Sequence, residues 1–397
     1  MLIVFWSAVG LIAYTYVLFP VLVLLRSKVW QRPYLAADHE PSVSLVIIAH
    51  NEQASIGAKL ENVLALDYPR DRLQVIIGSD GSTDETNAIV ERYADRGIEL
   101  LPMPRQGKIP VLNAAIRRAT GEILVFSDAN SMYAPDAIRA LVRPFADPTI
   151  GGVAGDQRYL GKADDGTSGE RAYWSFDRVL KQAESAAGNT ISATGAIYAI
   201  RRSLFKVVPL GVTDDFATST AVIEQGYRLV FASDAIAYEP VAKASGVEFG
   251  RKVRVITRGL RSVIARRRLL SLRRHGFYSI QLFSHKVLRR LVFVPLIVVL
   301  AASLWLAQES QWFWWLAIAQ AVFYGCAALG WWLNQTRLGA FKLLSIPFFF
   351  CMVNFASLLA VMNVLRGRSI DLWEPQRHTD GPAASGLGAA IATEGQP

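Results

Sequence analysis

The chain has 397 residues, 52% of them hydrophobic, and a formal net charge of +9. Its two cysteines, Cys326 and Cys351, exclude a disulfide framework and a cysteine–zinc centre. The length allows one large domain or two ordinary ones, and the basic balance suits nucleic acid, a membrane surface or a phosphorylated ligand.

Residues 1–25 carry no charge and are long enough to cross a bilayer, which takes roughly 20 apolar residues. A cleaved signal peptide is the competing reading. The basic n-region and small-residue cleavage site it needs are missing, so an uncleaved anchor is expected. Arg26, Lys28 and Arg32 follow at once, and a dense basic stretch precedes the next apolar run. Both flanks predict a multi-pass protein of the cell membrane with its soluble domain, residues 40–250, on the cytoplasmic side.

Within that domain, "VSLVII" (43–48) is a continuous apolar run, as in a strand buried on both faces. A helical stretch follows, then "LQVIIGS" (73–79), a helix through Tyr93, "IELLPM" (98–103), a helix near 109–119 and "EILVFSD" (122–128). This alternation predicts an α/β domain with a mostly parallel sheet, inserted between transmembrane helices. Polar residues gather at the strand ends: His50-Asn51-Glu52, Asp80 to Asp84, and Ser127-Asp128-Ala129-Asn130. Each alone reads equally well as a solvated turn. Three on the carboxyl edge of one sheet predict a common crevice. No Walker A sequence and no strand-following G-x-G-x-x-G is present. Separated carboxylates near a cation suit a nucleoside diphosphate held through Mg²⁺ or Mn²⁺.

From Arg251 to Arg290 there is no acidic residue. Arg251, Arg254, Arg258 and Arg261 share one helical face, and Val253, Ile256, Leu260, Val263 and Ile264 keep helical spacing. A basic amphipathic helix on anionic lipid is expected over 251–290, with nucleic acid as the rival reading. Charge-free runs at 291–308, 310–336 and 343–365 predict about three more transmembrane helices within 291–366. Three crossings would leave Arg366 and Arg368 outside. Either the last run stops short, or one run is not a span. Trp312, Trp314, Trp315, Trp331 and Trp332 read as aromatic belts, with sugar stacking as the alternative. The Gly/Ala-rich tail, 378–397, is expected to be disordered.

Residues 43–215 resemble the family-2 glycosyltransferases of GT-A fold, in the branch of membrane-embedded polysaccharide synthases. The segments are "IIAHNEQASI" (47–56), "DGSTD" (80–84), "RQGKIPVLNAAI" (105–116), "FSDANSMYAPDAI" (126–138), "ATGAIYAIRR" (193–202) and "TDDF" (213–216). The resemblance implies inverting transfer from a UDP-sugar onto a growing exported polysaccharide. It also implies roles. Ala49, Asn51, Glu52 and Asp80 would hold the uracil–ribose end, and Lys108 would sit near the nucleotide or its phosphates. Asp128 stands for the first Asp of the D-x-D metal motif, and Asn130 for the second. Thr194, Gly195 and Asp214 would face the acceptor, and Asp215 would be the general base. Asp84 reads equally as a helix cap.

Two departures stand out. The metal motif has an amide in place of its second carboxylate, and the Q-x-x-R-W motif of processive synthases is missing. In its region Arg251, Arg254 and Arg258 would meet the diphosphate. Transfer of one sugar to a lipid acceptor is therefore an alternative, as is a catalytically weak nucleotide-binding component of an export complex. The expected partners are the donor, a polysaccharide or lipid acceptor, membrane lipid and export or accessory subunits, with no nucleic acid.

Overall fold

A computed structural model describes residues 1–160, 168–240, 245–334, 336, 338–339 and 341–368. Of these, 31–160 and 184–240 form one compact unit, and 1–30, 168–183 and 245–368 form another.

The first unit is built on eight strands: β1 (Val43–Ala49), β2 (Leu73–Asp80), β3 (Ile98–Met103), β4 (Ile123–Asp128), β5 (Met132–Tyr133), β6 (Ile150–Leu160), β7 (Tyr198–Arg201) and β8 (Arg228–Pro240). Their order is β3-β2-β1-β4-β7-β6-β8-β5. The first four are parallel, as the alternating pattern predicts. β7 then runs antiparallel between β4 and β6, and β5 antiparallel to β8, so the complete sheet is mixed.

All seven residues of β1 are buried because helices cover both faces. Leu45 and Ile47 pack in one core with Ile56, Leu60 and Val63 of the helix Ile56–Leu64. Val46 and Ile48 pack in the other with Ile109, Leu112 and Ile116 of the helix Lys108–Arg118. The period of two along the strand meets the 3.6-residue period of each helix, and every such side chain contributes about 1.5–3 kcal/mol.

β6 is held differently. A Cβ on Gly151 would lie 2.6 Å from Leu204, Val222 and Tyr227, and one on Gly155 would lie 2.7 Å from the Ala235 carbonyl. The ladder to β8 slips between Ile150 and Gly152 and again between Ala154 and Asp156.

In the second unit, Leu2–Val29, Gln311–Trp332 and Lys342–Leu365 are long and apolar enough to cross a membrane. The predicted span 291–308 takes another form. Its helix, Phe293–Leu306, has 14 residues, or about 21 Å against a hydrocarbon core of about 30 Å. It meets Phe277–Arg290 at a 55° bend. One of the three runs is thus not a plain straight span. Trp312, Trp314 and Trp315 at one end of the Gln311–Trp332 helix, and Trp331 and Trp332 at the other, are exposed.

The basic helix begins earlier than expected, at Ser245, and runs to Ala265. Ile256 packs with Ala356 and Ala360 of the last apolar helix. Arg258 is buried, whereas Val255 and Ile264 are exposed. Burial and the neighbouring charges of Arg258 and Arg251 pull the Arg254 guanidinium below its usual range. Residues 168–183 also group here rather than with the 40–250 block, through Leu180 and Ala183 against Phe19 and Val23. The tail 378–397 lies outside the described residues.

Candidate active site

The carboxyl ends of β2, β1 and β4 lie side by side, with Ala49 opposite Ser79 and Ile48 opposite Asp128. The polar clusters that follow these strands therefore share one edge of the sheet.

The 49–53 and 80–86 segments interlock. Ala49 is buried at the end of β1, and His50 donates from Nδ1 to the Asp80 main-chain carbonyl at 2.7 Å. Asn51 takes a left-handed conformation (φ +52°), which its short polar side chain tolerates, and its Oδ1 accepts the Thr83 N–H at 2.9 Å. Buried Glu52 accepts the Ser55 hydroxyl at 2.7 Å, and its own N–H donates to Thr86 Oγ1 at 2.8 Å. Asp84 accepts N–H bonds from Gln53 at 3.1 Å and Thr86 at 3.0 Å. Burial opposes its charge, yet the hydrogen bonds from Thr86 and the Gln53 N–H outweigh that and hold its carboxyl below the usual range. The N-cap of the helix Thr86–Glu91 is Glu85, and Asp84 instead ties the 49–53 segment to the start of that helix.

Asp80 is fully buried, and its carboxylate serves the next loop. Oδ1 accepts the N–H groups of Gln106 (2.7 Å) and Gly107 (2.9 Å), and Oδ2 pairs with Arg105. Gly81 (φ +59°) lets this loop close in, since a Cβ there would lie 2.6 Å from the Arg105 nitrogen. The loop ends at Lys108, the first residue of its helix.

Lys108 is the centre of the arrangement. Its Nζ lies 2.9 Å from Asp128 Oδ1 at the end of β4 and 2.9 Å from Asp214 Oδ2. Burial works against its charge, but Asp128 and Asp214 prevail and raise the ammonium well above its usual range. Asp214 and Asp215 open the helix Asp214–Glu224. Asp215 Oδ1 accepts the Phe216 N–H at 2.7 Å, in the first turn of that helix. A Cβ on Gly195 would lie 2.9 Å from Asp128 Oδ2. Thr194 Oγ1 is buried with no hydrogen-bond partner among the described residues.

The structure thus gathers Lys108, Asp128, Asp214 and Gly195 at one point. Arg251, Arg254 and Arg258 belong to the other unit.

For a cation, Asp128 and Asn130 offer one carboxylate and one amide oxygen on a partly exposed turn. No cluster of three His, Cys, Asp or Glu forms a protein-only cage among the described residues. Mg²⁺ and Mn²⁺ accept hard oxygen donors, and Mg²⁺ needs only one or two carboxylates when phosphate oxygens complete its shell. The residues fit such an ion.

Two groups here escape a reading of the sequence. Tyr198 of β7 is buried, and burial, then Asp214 and Asp215, push its phenol well above the usual range. Lys59 of the Ile56–Leu64 helix is fully buried below the Asp128–Asn130 turn, 2.8 Å from Ser127 Oγ. Burial pulls its ammonium down to about 7, against Asp128 and Glu239. Its signal was present: a charge on the helix face shared by Ile56, Leu60 and Val63.

A mixed α/β sheet with this carboxylate edge is the architecture of a GT-A glycosyltransferase. Residues 44–208 match the family model described as Glycosyl transferase family 2, and the chain carries a domain of that family. The mannosyltransferase PcManGT from Pyrobaculum calidifontis, solved in complex with GDP-Man and Mn²⁺, superposes with a TM-score of 0.71. It is 26% identical, and the match covers 92% of this chain and 100% of that one. The poly-beta-1,6-N-acetyl-D-glucosamine synthase of Staphylococcus aureus is 26% identical over 240 residues, 58% of this chain and 57% of that protein. The beta-monoglucosyldiacylglycerol synthase of Synechocystis is 32% identical over 148 residues, 36% of this chain and 31% of that protein. The chain spans little more than half of the first curated relative and under a third of the second.

Proposed function

We propose that the chain is a membrane-bound glycosyltransferase that moves a sugar from a UDP-sugar onto a growing polysaccharide, inverting the anomeric centre. The observation that supports this most is the Lys108 bridge, which draws Asp128 and Asp214 together at the carboxyl edge of the sheet.

In this reading Lys108 and the amide end of its helix offer positive charge to the donor diphosphate. Asp128 and Asn130 hold the divalent cation, which when bound neutralises part of that charge. Asn51 and the rim at Ala49–Glu52 face the base and ribose, while Asp80 acts through the 105–107 loop it clamps. Asp215, beside Asp214 at the start of the Asp214–Glu224 helix, takes the proton from the acceptor hydroxyl, an effect worth roughly 10²–10⁴-fold. One displacement by that hydroxyl inverts the centre. Thr194 offers its buried hydroxyl oxygen to the acceptor.

A second reading, transfer of a single sugar to a lipid, has its own support: the missing Q-x-x-R-W motif and the glycolipid synthase at 32% identity. The donor base has an alternative too, since the structure that matches nearly the whole chain was solved with GDP-Man.

The test uses full-length protein in lipid nanodiscs, a panel of UDP- and GDP-sugars, and Mn²⁺ or excess chelator. Nucleotide release and product size are scored. A polymer supports the first reading and one sugar on lipid the second. Full activity in chelator overturns the cation assignment. Nucleotide binding without transfer from any donor makes the chain a binding component.

A further inference from the structure

Lys59 occupies a position where the helix Ile56–Leu64 calls for an apolar side chain, between Ile56 and Val63 on the core face. An ammonium taken out of water costs several kcal/mol unless its donors are satisfied. No carboxylate lies within ion-pair distance of it among the described residues. Its partners belong to one turn instead. Nζ donates to Ser127 Oγ at 2.8 Å and to the Ser131 carbonyl, and sits 4.1 Å from the centre of the Tyr133 ring.

Ser127 and Ser131 bracket Asp128-Ala129-Asn130, and the Ser131 N–H closes the turn onto the Asp128 carbonyl at 3.2 Å. One helical turn on, Asn62 pairs with both main-chain groups of Tyr133, at 2.9 and 2.8 Å. The Ser131 hydroxyl is held in turn by Glu239, which also accepts a bond from Gln157 at 2.7 Å. Ser127 Oγ reaches the Ala196 carbonyl at 3.3 Å, tying the turn to the strand end that carries Gly195. A buried lysine thus spans both ends of the turn whose oxygens fit a cation, and a buried polar chain backs it.

We propose that Lys59 is a positioning residue, fixing the 127–131 turn so that Asp128 and Asn130 present their oxygens together to the cation–diphosphate. This rests on the functional reading above. It adds a device for a site that lacks its second carboxylate. With an amide in that place, less charge draws the cation in, and more depends on the two oxygens being held in register. Partners behind metal ligands typically contribute about 10–100-fold to affinity.

The test is Mn²⁺ titration by electron paramagnetic resonance on full-length protein in detergent, with UDP and separately with GDP, beside nucleotide binding in chelator. Lys59→Met keeps the length and removes charge and donors. The expected result is Mn²⁺ affinity reduced ~10-fold or more, with metal-free nucleotide binding within about twofold of wild type. Ser127→Ala, which removes one acceptor of Lys59 together with the hydroxyl's own bond to the Ala196 carbonyl, moves Mn²⁺ affinity in the same direction by a smaller factor and decides the matter if Lys59→Met does not fold. Unchanged Mn²⁺ affinity in the folded variant overturns the role of Lys59 alone. Equal loss of Mn²⁺ and metal-free nucleotide binding also overturns it, by making Lys59 a general structural residue. A wild type without any Mn²⁺–nucleotide site overturns the functional reading itself.

Discussion

Gly195→Ala separates the site from the scaffold. The added Cβ would lie 2.9 Å from Asp128 Oδ2 and 3.6 Å from Cγ and Oδ1. An ordinary C···O contact starts near 3.3–3.6 Å, so the carboxylate must retreat by roughly 0.5 Å. The backbone at Gly195 lies outside the left-handed region and accepts alanine without strain. The Asp128 side chain is 34% exposed and can rotate, so the fold should bear the change, with Tm lowered by less than about 3 °C. The same rotation pulls Oδ1 from Lys108 and turns the cation-binding oxygen away. A hydrogen bond to a charged group is worth about 1.5–3 kcal/mol, or roughly 10–100-fold at 1.4 kcal/mol per decade. Turnover by nucleotide release should therefore fall ~10–100-fold, with more Mn²⁺ restoring part of it. Wild-type turnover would refute the reasoning, and so would a Tm loss of about 8 °C or more, which would make Gly195 a packing position.

Three further outcomes are expected. Asp215→Asn should abolish transfer and leave nucleotide affinity within about threefold, because the amide keeps the Phe216 contact but takes no proton; equal loss of both, by calorimetry and nucleotide release, would assign Asp215 to the donor. Arg254→Lys or Arg258→Lys should cut turnover ~10-fold if these residues meet a phosphate bidentately, whereas Arg→Lys at 266–268 should be neutral, and equal tolerance would leave only a surface charge role. For stability, Lys59 titrates at about 7 in the fold and about 10.4 unfolded, so between those values the unfolded chain binds more protons and stability should rise with pH; Lys59→Met should flatten that rise in Tm, and an unchanged slope would show that other groups cause it.

The sheet was readable where side chains announce it. The runs at 43–48, 73–79, 98–103 and 122–128 are apolar, fully buried in β1 and only partly so in the edge strand β3, and the structure places β1 to β4 there. β6 hides because "IGGVAGDQRYL" looks like a turn by composition. Its glycines mark where neighbours approach, and no local pattern announces that. In the site, the roles of Lys108, Asp128 and Asp214 came from resemblance, since residues so far apart in sequence carry no signal of proximity. Asp80 was expected to hold the nucleotide, and the structure gives its carboxylate to the 105–107 loop. The run at 291–308 reads as a span by hydropathy, yet a bend sets it apart from its flanking helix, and composition does not encode an angle.

The glycines of β6 bear on how sequence variation in this chain should be interpreted. Gly151 faces Leu204, Val222 and Tyr227, Gly152 lies 2.8 Å from Leu229, and Gly155 faces a carbonyl at 2.7 Å, each measured to an added Cβ. None bears a group that could touch a sugar or a phosphate. In a saturation scan scored by activity, these three positions should nonetheless be as intolerant as Asp128, and a map of invariant sites would colour them as catalytic. Scoring the same library by abundance would part the two kinds. Substitutions in β6 should remove the protein, whereas those at Asp128 should leave it present and idle.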